Sequence, residues 1–192
     1  MVAPTSETYE IRWHGRGGQG AVTSAKVLAD AAFRSGFAGV MSQPSFGAER
    51  RGAPVTASTR LAREPIRDLS QVTEPDIVVV LDESLIAVGG ATVGLRPGGL
   101  VIVNSPRSAS DLGIEGATAV TSDVTGAAES AGLIVGGQPM VSTAVLGAVA
   151  AATGLVTMEA VEQAIEHAFS GSAARKNVEA ARIAFQCTAK GA

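Results

Sequence analysis

Cysteine is almost missing from this sequence, which has Cys187 as the one cysteine among 192 residues. A single cysteine forms no internal disulfide, and one thiolate cannot bind an iron–sulfur cluster or a thiolate zinc site without other chains. The first residues, MVAPTSE, have neither the basic region nor the apolar run of a signal peptide. These features fit a reducing compartment, and we predict a cytoplasmic protein.

Charged and aromatic residues are also scarce, at 17% and 4% of the chain. The net charge of −3 argues against nucleic-acid binding, which needs a basic face. Hydrophobic residues reach 46% and glycine 23 residues, so small and aliphatic side chains do the packing. This composition suits an α/β layer fold, and the sparse charge indicates that a partner covers part of the surface.

Residues for acid–base or nucleophilic chemistry are few, since His14 and His167 are the only histidines. No serine–histidine–acid set, cysteine–histidine set or metal-ligand spacing is present. His14 stands beside a group of glycines, where it either contacts a ligand or is a hydrogen-bonded structural histidine. We therefore predict a domain that binds a ligand or partner and does not catalyse a reaction, with no catalytic residue and no metal site of its own.

Residues 132–158 contain no charge, and this stretch is long enough to cross a bilayer. The run GGQP at 136–139 interrupts it, and its apolar residues are mainly alanine, valine and glycine. We predict a loop followed by a buried helix, and no membrane span.

The most informative segment runs from a short alternating strand, residues 9–13, through a glycine turn into a helical pattern over 21–35. Glycines at the first, third and sixth positions of such a turn form a Rossmann-type fingerprint, in which the backbone approaches a ligand and the helix N-terminus attracts a phosphate. We predict an anion site here, and the alternative is a tight turn without a ligand. The residues of this turn are Gly15, Gly17, Gly18, Gln19 and Gly20.

The next predicted element is a second parallel strand over 38–42. A dinucleotide-binding unit needs an acidic residue at the end of this strand to hold the ribose hydroxyls. The residues there are Met41, Ser42, Gln43 and Pro44. The absence of a carboxylate argues against NAD binding.

Residues 43–54 contain two prolines and two glycines, which predict a structured loop beyond the carboxyl end of a strand, where ligands bind in α/β sheets. Glu49, Arg50 and Arg51 place both signs of charge in this loop. An arginine here either grips a phosphate or carboxylate, or anchors a partner subunit. The alternative is a local glutamate–arginine pair that braces the loop.

The remaining pattern predicts a three-layer α/β/α fold with a mostly parallel sheet, in a single domain over 1–192. The C-terminal helices, about 139–190, are expected to pack on this sheet. Further strands are predicted over 55–61, 77–81, 100–104 and 118–121, and helices from 84 and over 123–131, 142–153, 158–169 and 176–189.

Several motifs in register resemble the gamma subunit of 2-oxoacid:ferredoxin oxidoreductases, of which pyruvate synthase is the best-known member. The likeness covers nearly the whole chain. One departure is Ser142-Thr143, where the family is expected to have Asn-Thr, and this puts a role at that position in doubt. The matching motifs are HGRGGQG at 14–20, PSFGAERRGAP at 44–54, TR at 59–60, EPD at 74–76, PMVSTAVLG at 139–147 and KNVEA at 176–180.

This resemblance implies a complex that oxidatively decarboxylates a 2-oxoacid and transfers the acyl group to coenzyme A. Thiamine diphosphate, with magnesium, is expected between alpha and beta subunits, and [4Fe-4S] clusters carry electrons to ferredoxin. The gamma-type chain is expected to hold neither cofactor and to assemble with alpha, beta and delta-type subunits. Its backbone amides at 17–20 and one or both of Arg50 and Arg51 would face the coenzyme A phosphates, or else the neighbouring catalytic subunit.

Three hypotheses follow. The chain is a non-catalytic subunit that assists coenzyme A binding, or a purely structural interaction subunit of the same complex, or, less favoured, an independent NAD- or flavin-binding protein. The 2-oxoacid stays open among pyruvate, branched-chain, 2-oxoglutarate, indolepyruvate and phenylglyoxylate types, because that pocket is expected on other chains.

Overall fold

A computed structural model describes residues 8–44, 52–88 and 90–191, with side chains as far as residue 188. Its main feature is a six-stranded sheet with the order β2-β3-β1-β4-β5-β6. The strands are β1 (Thr8–Arg16), β2 (Gly39–Pro44), β3 (Pro54–Ala62), β4 (Ile77–Val80), β5 (Leu100–Asn104) and β6 (Thr118–Ser122), and a separate hairpin contains β7 (Ile134–Val135) and β8 (Gln138–Pro139). The helices are α1 (Ala21–Arg34), α2 (Ser84–Ala87), α3 (Val124–Ser130), α4 (Ala144–Thr153), α5 (Met158–Ala168) and α6 (Gly171–Gly191), with a 3₁₀ turn at Ala109–Leu112.

The four strands β1, β4, β5 and β6 pair in parallel. Strands β4 and β5 are buried at every position and aliphatic except for Asn104 at the end of β5, which is typical of central parallel strands covered on both faces. The carboxyl ends of these strands share one edge of the sheet, where ligands bind in open α/β sheets. The α/β class and the mostly parallel sheet are confirmed.

The prediction of β2 as a second parallel strand was wrong in its pairing. Strand β3 lies between β1 and β2 and is antiparallel to both. The connection from β2 to β3, residues 45–53, is shorter than a parallel crossover requires, so the two strands pair antiparallel. The beginning of the sheet therefore departs from a Rossmann unit, in which β1 and β2 are parallel neighbours.

The two faces of the sheet are covered unequally. Along β1 every second residue is buried, and Ile11 and Trp13 enter the main core beneath α1, α4, α5 and α6. The other face has a smaller core over β4 and β5, covered by α2 and the segment that includes the 3₁₀ turn. The predicted three layers are present, and the layer that covers this second face of the sheet is thin.

Helices α4 and α6 pack closely because residue 147 is glycine. A Cβ atom on Gly147 would lie 1.8 Å from the carbonyl oxygen of Ala181. Helix α4 is apolar on all sides and almost wholly buried. Helix α6 begins at Gly171, before its predicted start at 176.

The uncharged stretch over 132–158 contains the β7–β8 hairpin, which the sequence reading missed as a strand pair. Gly136 and Gly137 form its tip with φ of 57° and 77°, as a two-residue hairpin turn requires. Among the helices of the described ranges, none is long and apolar enough to cross a membrane.

Candidate functional site

The glycine turn joins β1 to α1 at the carboxyl edge of the sheet. Gly20 is the N-cap of α1 with φ of 84°, a left-handed conformation that favours glycine. A Cβ atom on Gly20 would also lie 2.6 Å from Cβ of Ser142. Gly18 has φ of 97°, and no described atom lies within 4 Å of its Cβ position, so its outer side is open.

Part of the turn's hydrogen-bonding capacity is used inside the protein. The Gly17 amide donates to the Ala53 carbonyl at 2.8 Å, and the Gln19 amide donates to the Arg16 carbonyl at 2.9 Å. The prediction that the backbone amides over 17–20 face a ligand is therefore corrected for Gly17 and Gln19, because these two amides already donate within the protein. The Gly18 and Gly20 amides donate to no other described residue.

The start of α1 has no neutralising group of its own. No side chain caps it, and its first turn contains no acidic residue. The first amides of a helix have no partner within the helix, and they place a partial positive charge at its N-terminus. This end of α1 therefore suits an anion.

The loop after β2 returns to the glycine turn. The Gly52 amide donates to the Gly17 carbonyl at 3.1 Å, next to the bond from Gly17 to Ala53. The end of the predicted 43–54 loop thus lies at the carboxyl edge, as expected. Glu49, Arg50 and Arg51 lie outside the described residues, and their part in the site stays a prediction.

A carboxylate that the site prediction missed supports the turn from β4. Asp82 Oδ2 accepts from Arg16 Nε at 3.0 Å and from Gln19 Nε2 at 3.2 Å, and Oδ1 accepts from the Ser84 amide at 3.0 Å. Arg16 also donates to Ser84 Oγ at 2.7 Å. Asp82 directly follows the predicted strand over 77–81, and its position at the carboxyl edge was the signal that could have identified it.

Two opposing effects set the pKa of Asp82. Partial burial raises it, but the hydrogen bonds from Ser84 and Gln19 and the charge of Arg16 together bring the pKa below its ordinary value. Asp82 is therefore ionised at neutral pH. The positive charge of Arg16 compensates the Asp82 carboxylate. The hydrogen bonds of Asp82 to Arg16 and Gln19 therefore fix the turn without leaving an uncompensated negative charge beside it.

His14 lies on the second face of the sheet. Arg12 Nε donates to His14 Nε2 at 3.0 Å, and Arg12 Nη2 donates to the Ala91 carbonyl at 3.2 Å. Burial, and then the charge of Arg12, lower the pKa of His14 to about 4. His14 is thus neutral near pH 7 and accepts a structural hydrogen bond, which favours its structural interpretation.

Two of the resemblance motifs meet behind the glycine turn. Ser142 packs on Gly20, and its carbonyl accepts from Ser24 Oγ at 2.7 Å. Thr143 Oγ1 donates to Asn177 Oδ1, and Asn177 Nδ2 donates to the Ala173 carbonyl at 2.8 Å. The motif at 139–147 therefore connects α1 to α6 through buried polar contacts.

The motifs at 59–60 and 74–76 are structural and lie away from this edge. Arg60 pairs with Glu10 at 2.6 Å, and Arg96 pairs with Glu10 at 3.1 Å and with Asp76 at 2.8 Å. These side chains tie β3, β1 and the segments flanking β4 and β5 together. Thr59 Oγ1 accepts from Trp13 Nε1 at 2.9 Å in the core.

The described residues offer no donor set for a metal ion, since no group of three or more histidine, cysteine, aspartate or glutamate side chains converges in those ranges. Cys187 is exposed near the end of α6. With Cys187 as the one cysteine of the sequence, this chain by itself supplies no set of thiolates for an iron–sulfur cluster.

Comparison with known proteins identifies relatives over most of the chain. The family model described as pyruvate ferredoxin/flavodoxin oxidoreductase matches residues 10–187. The chain is 51% identical over 185 residues to the pyruvate/ketoisovalerate oxidoreductases common subunit gamma of Thermococcus kodakarensis, covering 93% of this chain and 96% of that one. It is 49% identical to the pyruvate synthase subunit PorC of Methanothermobacter marburgensis, covering 92% and 96%.

The fold is also similar to solved structures. The crystal structure of the pyruvate oxidoreductase subunit PORC from Thermotoga maritima aligns with a TM-score of 0.79 and 34% identity, over 94% of this chain and 97% of that one. The 2-oxoglutarate:ferredoxin oxidoreductase of Magnetococcus marinus aligns at 19% identity with a TM-score of 0.75, over 97% of this chain and 32% of that one. This second likeness shows the fold alone.

Proposed function

Because the chain belongs to the pyruvate ferredoxin/flavodoxin oxidoreductase family as a gamma-subunit type, we propose that it is a non-catalytic subunit that assists coenzyme A binding and assembly. The complex would oxidatively decarboxylate a 2-oxoacid to an acyl-CoA. Alpha, beta and delta-type subunits would hold thiamine diphosphate, magnesium and [4Fe-4S] clusters, and ferredoxin would accept the electrons. This chain would be inactive alone.

The relatives' names support a role apart from substrate choice. A subunit described as common to pyruvate and ketoisovalerate oxidoreductases serves enzymes for two different oxoacids. A chain shared in this way does not determine which oxoacid reacts. For the present chain we propose the same division, with the oxoacid pocket on its partners and a shared step on this subunit.

The observation that carries the coenzyme A assignment is the uncapped N-terminus of α1 behind an open glycine turn. Coenzyme A brings a diphosphate and a 3′-phosphate, and helix N-termini with glycine turns bind such groups through backbone amides. Arg50 or Arg51, on the loop that returns to the turn, would supply the cation. The left-handed φ of Gly20 and its contact with Ser142 account for glycine at this position, and the absence of a capping carboxylate leaves the helix N-terminus able to accept a phosphate.

A purely structural subunit is the second candidate. Leu69, Val88 and Val93 are large apolar side chains that are 69–71% exposed, and a partner subunit that contacted them would remove this apolar area from water. In that case the glycine turn would pack against a neighbouring subunit. An independent dinucleotide-binding protein is less favoured, because β3 separates β1 from β2 and no carboxylate ends β2.

The variant Arg51→Ala in the assembled complex separates these candidates. If the loop binds coenzyme A, the KM for coenzyme A rises on the order of tenfold, as expected for one lost bond to a charged group, and native mass spectrometry shows the complex intact. If the loop is an interface, the subunit dissociates and all activity falls together. The matched control is Arg175→Ala, which removes an exposed arginine on α6.

A further inference from the structure

Ser142 stands where the family resemblance predicts asparagine, directly behind the glycine turn. Its Oγ lies 3.2 Å from the position that a Cβ atom on Gly20 would take. The residue is 5% exposed. Its side chain is thus held against the N-cap of α1, among buried residues.

The hydroxyl of Ser142 is not used by the protein. The contact to α1 is made by the Ser142 carbonyl, which accepts from Ser24 Oγ at 2.7 Å. The contact to α6 is made by the neighbouring Thr143 side chain through Asn177. Within the described ranges, no group donates to or accepts from Ser142 Oγ.

This oxygen also keeps access to solvent. Every fully buried side-chain nitrogen or oxygen in the described part of the chain has a hydrogen-bond partner. Since Ser142 Oγ has none there, it is not fully buried. A polar group that is anchored, nearly buried and unpaired is unfavourable unless a ligand or water satisfies it.

The N-terminus of α1 lies beside the Ser142 hydroxyl and provides further hydrogen-bond donors. Gly20 is the N-cap of this 14-residue helix. Thr23 belongs to its first turn, and its Cβ lies 3.7 Å from the position that a Cβ atom on Gly20 would take. The free amides of that turn favour an oxyanion. A serine hydroxyl beside them can donate one further hydrogen bond to a phosphate oxygen.

We propose that Ser142 is a phosphate-binding residue, whose hydroxyl completes an oxyanion site with the first-turn amides of α1. The ligand class is a phosphate ester or diphosphate, and the assignment to coenzyme A rests on the proposed function above. The serine replaces the expected asparagine as a shorter donor, and the missing side chain of Gly20 is what lets Ser142 lie against the N-cap of α1.

The test measures equilibrium binding of coenzyme A to the intact complex by dialysis, without a 2-oxoacid. Ser142→Ala should raise the Kd for coenzyme A on the order of tenfold, which corresponds to the loss of one hydrogen bond to a charged group. Dephospho-coenzyme A identifies the bound group: equal weakening with both ligands assigns the diphosphate, and weakening with coenzyme A alone assigns the 3′-phosphate. Either result supports the site.

The matched control is Ser122→Ala. Ser122 is also 5% exposed, but its Oγ accepts from Thr188 at 2.9 Å, and it lies on the edge strand β6, three strands away from β1. Its replacement should leave the Kd unchanged. A Ser142→Ala complex that binds coenzyme A as the wild type does, while Arg51→Ala weakens binding, overturns the role of Ser142 and leaves the proposed function standing. Unchanged binding in both variants overturns both.

A second variant covers the case in which Ser142→Ala does not assemble. In a Ser142→Cys complex, desulfo-coenzyme A, which lacks the thiol that would consume the alkylating reagent, and inorganic pyrophosphate should each protect the introduced thiol from alkylation, measured by peptide mapping. Alkylation of the exposed Cys187 should be unaffected and serves as the internal control. Equal alkylation of the introduced thiol with and without both ligands contradicts the proposal.

Discussion

His14 should make this protein less stable in mild acid, and the variant His14→Gln should remove that effect. The imidazole accepts from Arg12 Nε at 3.0 Å and is neutral in the folded protein, with its pKa lowered from 6.5 to about 4. Glutamine keeps an oxygen that can accept the same hydrogen bond but does not gain a proton. The variant therefore isolates the titration of His14 from its structural contact.

The magnitude follows from linkage between protonation and folding. Between the two pKa values the unfolded chain binds a proton at His14 and the folded chain does not, so stability falls as the pH falls. A difference of about 2.5 pKa units, at 1.36 kcal/mol each, sets an upper limit of roughly 3 kcal/mol between pH 7 and pH 4. Above pH 7 the histidine is neutral in both states and contributes no pH dependence.

The assay is denaturant unfolding at a series of pH values from 4 to 8. The wild type should lose more free energy of unfolding towards acid than His14→Gln, by about 2–3 kcal/mol at pH 4. His167→Gln is the control for removing an exposed histidine. This variant should still lose the free energy of unfolding towards acid that the wild type loses through His14. Identical pH profiles for the wild type and His14→Gln would refute the assignment of His14 as a half-buried histidine that is neutral in the folded protein.

Two further variants test the turn and the helix packing. Asp82→Asn should lower the melting temperature by about 4–8 °C, because two donors of the glycine turn lose a charged acceptor at about 2 kcal/mol in total. The control Asp111→Asn, in the exposed 3₁₀ turn, should change the melting temperature little. Equal shifts in the two variants would contradict the role of Asp82. Gly147→Ala should destabilise by about 1–3 kcal/mol, because the new Cβ would meet the Ala181 carbonyl, although helix propensity alone predicts a gain of nearly 1 kcal/mol. A stabilised Gly147→Ala variant in thermal unfolding would show that α4 and α6 are not closely packed.

Local patterns predicted most elements because they depend on neighbouring residues. The aliphatic runs of β4 and β5 and the N-cap of α5, where Thr157 accepts from the Ala160 amide at 3.1 Å, are examples. The single gamma-type domain over 1–192 stays a prediction. The insertion of β3 between β1 and β2 was missed, because strand order is set by long-range pairing and not by the pattern within either strand.

The position of the glycine turn between β1 and α1 was predicted from the sequence, and its role as a binding site stays a prediction. The glycines predicted a turn whose backbone closely approaches another group, and the structure shows that Gly20 contacts Ser142. Which amides are already engaged could not be read from the sequence, because the acceptor of Gly17 is Ala53, on a distant segment. Asp82 was visible as a carboxylate after a strand, but its contact with Arg16 depends on the pairing of β4 with β1.

The most direct test of the central claim is native mass spectrometry with metal analysis of the untagged chain purified from its source. We expect the chain to co-purify with larger subunits that carry thiamine diphosphate and iron, in a complex that converts a 2-oxoacid and coenzyme A to an acyl-CoA. A stable, iron-free homo-oligomer that binds a nucleotide by itself would contradict the assignment as a gamma-type subunit.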